Sequence, residues 1–139
     1  MADILAIRAA LASQIGTRTG LRTMAEARDS ISPPVAIVLP GQPLAKFGDT
    51  VDGTLTINLI VLIVISDAAT SERTQRALDA YLGIGSGETE SIPGAIMADP
   101  TLGSAVHFCE PMTVSNYGRI DYAGETYFGA RINVQIGAI

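Results

Sequence analysis

Lysine occurs once in this chain, at Lys46, and no run of basic residues is present. Proteins that grip nucleic acid through its phosphates concentrate Lys and Arg on one surface, so the composition speaks against specific nucleic-acid binding. Cysteine also occurs once, at Cys109, which excludes an internal disulfide. The single histidine, His107, stands two residues away from it. A pair of this kind falls short of a zinc site, which needs about four ligands, or three and a water. A general base at His107 would need a nucleophile or carboxylate partner that the sequence does not place. Long apolar runs are missing too. The longest, Leu59 to Ile65, is far short of the ~18–20 residues of a membrane-spanning helix. No low-complexity tract occurs. The opening Met1-Ala2-Asp3-Ile4 carries an acid before becoming amphipathic, unlike a secretory signal, so a protein made and used in a cytoplasm is expected.

What is present describes a globular protein. Of 139 residues, 47% are apolar and 17% charged, which is best met by a single domain spanning 1–139 with a real core. Charge is uneven. Residues 1–46 hold Arg8, Arg18, Arg22, Arg28 and Lys46 against Asp3, Glu26 and Asp29, a sum of +2; the rest holds four Arg against eleven acids, a sum of −7. Together these give the net −5. The mean hydropathy of +0.33 is high for a lone 14.5 kDa monomer. Either some apolar surface is hidden in an oligomer or the strands are long and thoroughly packed.

The stretch Thr54–Leu82 dominates the pattern. Leu55, Ile57, Leu59, Val61, Ile63 and Ile65 share one face of an extended chain, because strand side chains alternate with a period of two. The opposite face begins polar with Thr54, Thr56 and Asn58, then turns apolar with Ile60, Leu62 and Val64. One end of this strand should be covered on one side, the other end on both. Ser66-Asp67 stops the run and offers a cap for a helix from about Asp67 to Leu82, with Thr74, Ala77, Leu78, Tyr81 and Leu82 on its inner face. Gly83-Ile84-Gly85-Ser86-Gly87 follows a helix instead of a strand and lacks a Lys-Ser/Thr pair, so it reads as a helix stop and linker, not a phosphate loop.

Upstream, Asp3–Ile15 reads as a helix with Ile4, Ile7, Leu11 and Ile15 in one stripe and Gly16 as its stop. Gly20–Ala27 is weak, a short edge strand at most. Asp29–Pro34 is a turn, and Val35–Leu39 a central strand. Pro40–Gly53 reads as a loop of unusual length, and such loops are more often functional than structural. Its large apolar residues, Leu44 and Phe47, either tuck against the core or contact a partner. Downstream, Ser91 caps a short helix to Ala98 with Pro93 in its first turn. A strand runs Ala105–Val114, with Val106 and Phe108 facing one way and Pro111 marking an edge or bulge. Asn116-Tyr117-Gly118 is a turn. Ile120–Tyr122 and Tyr127–Ile136 form a hairpin, with Phe128, Ala130, Ile132, Val134 and Ile136 inward. The predicted fold is α+β: a mainly antiparallel sheet of four or five strands, two main helices on one face, and a short third helix.

The ordered set of segments resembles the tail terminator (tail completion) proteins of long-tailed, non-contractile bacteriophages, especially those of actinobacterial hosts. The matching pieces begin with Ile4-Leu5-Ala6-Ile7-Arg8-Ala9-Ala10-Leu11 and Asp29-Ser30-Ile31-Ser32-Pro33-Pro34-Val35-Ala36-Ile37-Val38. A long apolar strand ending Ser66-Asp67 follows, then Ala77-Leu78-Asp79-Ala80-Tyr81-Leu82. Ala98-Asp99-Pro100-Thr101-Leu102-Gly103, Asn116-Tyr117-Gly118 and the closing Tyr122 with Gly124-Glu125-Thr126-Tyr127 complete the set. The resemblance covers nearly the whole chain, and order and spacing carry it. It implies a virion protein assembled in the host cytoplasm. Copies would form a ring, commonly a hexamer, that caps the tail tube and joins the tail to the head connector. It implies no enzyme activity, no catalytic residues, no cofactor and no metal. Its partners would be further copies of itself, the tail tube protein and the head–tail connector protein, with DNA passing through the lumen without specific binding and no membrane involved. A heterologous ring needs two complementary patches per subunit, a use for the uneven faces of the central strand. Leu44, Phe47, Asp49 and Asp52 in the Pro40–Gly53 loop, with Tyr122 and Glu125 in the hairpin, are the expected contacts with tube or connector. Competing expectations are another neck, connector or tail tube protein, a small-molecule-binding domain, or a small enzyme; the last would show convergent polar groups near His, Cys or paired acids.

Overall fold

Strand-forming residues dominate the second half of the chain, and the computed structural model, which describes residues 4–25, 33–46, 55–67, 72–83, 91–103 and 106–138, is built around them. In chain order the elements are α1 (Ile4–Thr19), β1 (Arg22–Met24), β2 (Val35–Lys46), β3 (Leu55–Asp67), α2 (Glu72–Leu82), α3 (Ile92–Ala98), β4 (Val106–Tyr122) and β5 (Glu125–Ala138). The five strands form one sheet in the order β1-β2-β3-β5-β4. Every neighbouring pair is antiparallel except β1 with β2. The fold is α+β, as the alternation and the helix stripes predict.

β3 sits in the middle because it is the most continuously apolar segment, and its two faces are treated as its pattern requires. Ile57, Leu59, Val61 and Ile63 are buried against Ile7, Leu11 and Ile15 of α1, Leu78 and Leu82 of α2, and Ile92 and Ile96 of α3. All three helices therefore contribute to the layer on one face. β5 supplies Phe128, Ala130, Ile132, Val134 and Ile136 to the same core. Each fully buried aliphatic side chain stabilises the fold by about 1.5–3 kcal/mol. On the other face Leu62 and Val64 join Val35, Ile37, Ile120 and Tyr127 in a second, smaller cluster. Thr56, Asn58 and Ile60 on that face remain only partly covered. The predicted difference between the two ends of β3 is present. The apolar end, however, is filled by this chain's own residues and is not an open interface.

Several boundaries differ from the expectation, each for a physical reason. α1 runs through Gly16 to Thr19. Gly16 is not a stop but a place of close packing, since a Cβ there would lie 3.0 Å from Thr23 Oγ1. The helix ends one turn later at Gly20, whose φ of +76° favours glycine and whose N–H donates to the Gly16 carbonyl at 3.0 Å. The capping position Asp3 lies outside the described residues.

The loop expected over Pro40–Gly53 is strand as far as Lys46. β2 pairs with β3 on both sides of an irregularity between Pro40 and Ala45, and beyond Ile37 its outer side carries no strand among the described residues. A proline is tolerated on such an open side because no partner awaits its missing N–H. Asp67 does not cap α2. It extends β3 and pairs with Tyr127 past a bulge between Val64 and Ser66, while the helix begins at Glu72. Asn116-Tyr117-Gly118 does not separate two strands either. β4 is one 17-residue strand in which these residues form a bulge, with φ of +55° at Asn116 and +127° at Gly118. A further bulge between Val106 and Phe108 turns Phe108 outward, so it does not share a face with buried Val106 as the alternation predicts. The hairpin turn itself is the two residues Ala123-Gly124, both at positive φ, joining Tyr122 to Glu125.

Candidate functional site

The residue types that ordinarily carry chemistry are held apart or already engaged. His107 is exposed, whereas Cys109 is buried in the core opposite Ile136, so the two do not form a ligand pair. Burial, and secondarily the charge of Glu110, pushes the Cys109 thiol up to about 12. Among the described residues no group of three or more His, Cys, Asp or Glu is placed to hold a metal. No helix among them is long and apolar enough to cross a membrane.

A crevice of about 340 Å³ lies between α1 and the turn after α3 and is lined by Ser13, Gln14, Thr17, Arg18, Asp99 and Gly103. Its polar groups serve the fold. Gln14 Nε2 donates to the carbonyls of Ala95 (2.7 Å), Ile96 (3.2 Å) and Asp99 (3.1 Å), satisfying the end of α3. The Asp99 carboxylate accepts from Thr101 Oγ1 at 2.8 Å, Thr101 N at 3.3 Å and Gly103 N at 2.9 Å. These bonds, led by the one from the Thr101 side chain, lower its pKa from the ordinary aspartate value. At the other end of α3, Ser91 accepts from Gly94 N at 3.0 Å, the cap that the sequence predicts. A second hollow, about 300 Å³, lies on the uncovered sheet face among Gly41, Asn58, Ile60, Met112, Asn133 and Gln135. Beside it Asn133 Nδ2 donates to Thr113 Oγ1 at 2.5 Å. Farther along the same face, opposite Leu62, Arg131 keeps a buried Nε with no hydrogen-bond partner among the described residues.

Those of the sequence-predicted contact residues that are described fall into two places. Leu44 lies on the outer strand β2, half-exposed, close to where β3 begins. Phe47, Asp49 and Asp52 lie outside the described residues. Tyr122 and Glu125 flank the β4–β5 turn at the far end of the sheet. Tyr122 leans on the second apolar cluster, and Glu125 accepts from the Tyr127 hydroxyl at 2.9 Å. Thr126 Oγ1 donates to Asp121 at 2.9 Å in the next pair, so the hairpin tip is stitched on both sides of the turn. Between the Ala45–Ile57 pair and the Asp67–Tyr127 pair the strands run about 30 Å, at 3.2–3.4 Å per residue. Leu44 therefore does not share a patch with Tyr122 and Glu125.

Large exposed side chains also occur outside the predicted contact set. Phe108, Met112, Val114 and Tyr117 are all exposed along β4, an outermost strand. Pro111 signalled an edge, but the predicted turn at Asn116 hid the length of the strand. Tyr117 is tied back: its hydroxyl donates to Asp79 at 2.7 Å, and its ring meets Phe128 edge to face at 5.8 Å. Phe108 lies over Gly137, where any side chain would collide with its ring. No model of a known protein family matches the chain, and no curated protein matches it.

Proposed function

We propose that this chain is a structural virion protein of the tail terminator kind, whose copies form a closed ring, a hexamer, that caps the tail tube and joins the tail to the head connector. It works as a scaffold and not as an enzyme, with no cofactor, and DNA traverses the lumen without specific binding. The sequence resemblance set out above motivates the reading. The structural observation that supports it best is the placement of Leu44 and of Tyr122 with Glu125 toward opposite ends of one sheet, about 30 Å apart along the strands. A subunit held between a tube on one side and a connector on the other needs two such separated ends. Leu44, with Phe47, Asp49 and Asp52 following it in the chain, would serve one partner; Tyr122 and Glu125 would serve the other. The acidic balance of residues 47–139 suits a passage that does not hold phosphates.

The test is to replace each group separately and follow tail assembly by electron microscopy. Leu44→Asp with Phe47→Ala should abolish one junction, and Tyr122→Ala with Glu125→Lys the other, giving two different unjoined products. Infectious particles in normal yield from both sets would contradict the reading.

A further inference from the structure

Arg131 stands on the sheet face away from the helices. Its chain neighbour Ile132 is buried in the helix-side core, so Arg131 and Asn133 project to the other face. The Arg131 Nε is enclosed and has no hydrogen-bond partner among the described residues, and no carboxylate among them pairs with the guanidinium. Buried donors in native proteins are nearly always bonded, and one left over calls for a water, an ion or a ligand. The residue as a whole is only partly buried. With Nε enclosed, the terminal nitrogens of the fork are left to meet an anion from outside.

Two hydroxyls stand beside it. β4 pairs Ser115 with Arg131 and Thr113 with Asn133, in unbroken register between them. The four residues therefore occupy the corners of a cell about 4.8 Å across the strands and about 6.6 Å along them. Asn133 Nδ2 donates to Thr113 Oγ1 at 2.5 Å, which engages that oxygen as an acceptor and leaves its own O–H to donate elsewhere. One guanidinium and two hydroxyls thus offer donors to a single oxyanion.

We infer that Arg131, Ser115 and Thr113 bind a carboxylate carried on a segment of another protein. Charge selects a monoanion. Across the sheet, neither the Arg131 row (Leu62, Ile37, Met24) nor the Asn133 row (Ile60, Leu39) carries a second cation, and Glu110 stands one row beyond Asn133, opposite Gln135. A phosphate dianion would meet too little positive charge there, whereas one planar fork matches one carboxylate. The setting selects a carboxylate borne by a protein. Sites for free small molecules are concave and enclose most of the ligand, whereas Thr113 and its neighbours lie on an open strand surface. The adjoining hollow of about 300 Å³ has room for the residues that flank the acid. The Gln135 amide and the Asn133 side-chain carbonyl in it can bond a peptide backbone. The site uses none of the residues assigned to tube or connector and stands or falls apart from the ring.

NMR titration of the isotopically labelled chain tests it, with the enclosed Arg131 Nε–H as an internal reporter. The probe is the capped tripeptide acetyl-Gly-Asp-Gly-amide, compared with its Asn counterpart, sodium acetate and inorganic phosphate. The Asp peptide should shift the Arg131 Nε–H and the Thr113 and Ser115 amide signals saturably, and acetate should act on the same signals at least fivefold more weakly. Arg131→Lys keeps the charge but loses the fork, and should weaken the peptide at least tenfold. Ser115→Ala removes one hydroxyl and should weaken it about fivefold. No saturable shift from the Asp peptide, equal shifts from the Asn peptide, or full affinity in both variants would overturn the inference. Phosphate or acetate binding more tightly than the peptide would overturn it as well, in favour of a site for a free anion. Each of these results leaves the test of tail joining untouched.

Discussion

Gly129 and Gly41 show how closely the backbone of β3 is approached by its two neighbours. A methyl group on Gly129 would run into the Ile63 carbonyl oxygen, and one on Gly41 would lie 2.6 Å from that of Asn58. Neither obstacle is the end of a flexible side chain, so the strand itself must move. Overpacking of this kind costs about 1–3 kcal/mol. Gly41→Ala should lie within that range by urea unfolding, and Gly129→Ala, whose obstacle is nearer, at its top or beyond. Cys109 offers a different residue-scale test. Its pKa is raised from 9.0 to about 12, chiefly by burial, so the folded state holds its proton more tightly than the unfolded state does. The resulting stability is complete below pH 9 and is lost as pH climbs toward 12. The urea midpoint should therefore fall between pH 8.5 (about half a unit below the ordinary thiol value) and pH 11, and fall less steeply in Cys109→Ala. Alkylation of the thiol at neutral pH should require unfolding and be at least ~100-fold slower in the native protein.

At the scale of elements, what could be read in advance depended on whether a signal was local. The two faces of β3, the stripe of α1, the Ser91 cap and the inward set of β5 follow from side-chain periodicity and capping chemistry, and the structure has all of them. Apart from the end of α1, the misplaced boundaries arose where a partner strand decides. Pro40 and Gly41 look like a loop until β3 is beside them, and Asn116–Gly118 looks like a turn until β5 carries the chain through it as a bulge. The same holds for Gln14. Nothing in its neighbourhood of α1 marks it, because its three carbonyl partners come from Ala95, Ile96 and Asp99, more than eighty positions away. Gln14→Ala leaves those carbonyls to water at a partly buried helix end. It should destabilise the protein by about 1 kcal/mol, measured by thermal unfolding, and protection from hydrogen exchange in α3 should drop more than in β3.

For the whole molecule, the long outer strand was the least legible feature. Edge or centre is a property of sheet order, β1-β2-β3-β5-β4, and no window of sequence contains it. Exposure of Met112 and Val114 has meaning only once β4 is known to be outermost. The uneven faces of β3 first suggested association, but the apolar half of its second face is closed by Val35, Ile37, Ile120 and Tyr127 within the chain. In the ring proposed above, contacts between copies therefore lie elsewhere on the subunit. Copies that join head to tail end either in a closed ring or in an open filament, and the rotation between copies decides which. Negative-stain electron microscopy of the purified chain, at the concentration where sedimentation shows one assembled species, separates these outcomes most directly. The account predicts rings of uniform subunit number with a central hole. A strict monomer, or a compact two-fold dimer without a hole, would contradict it.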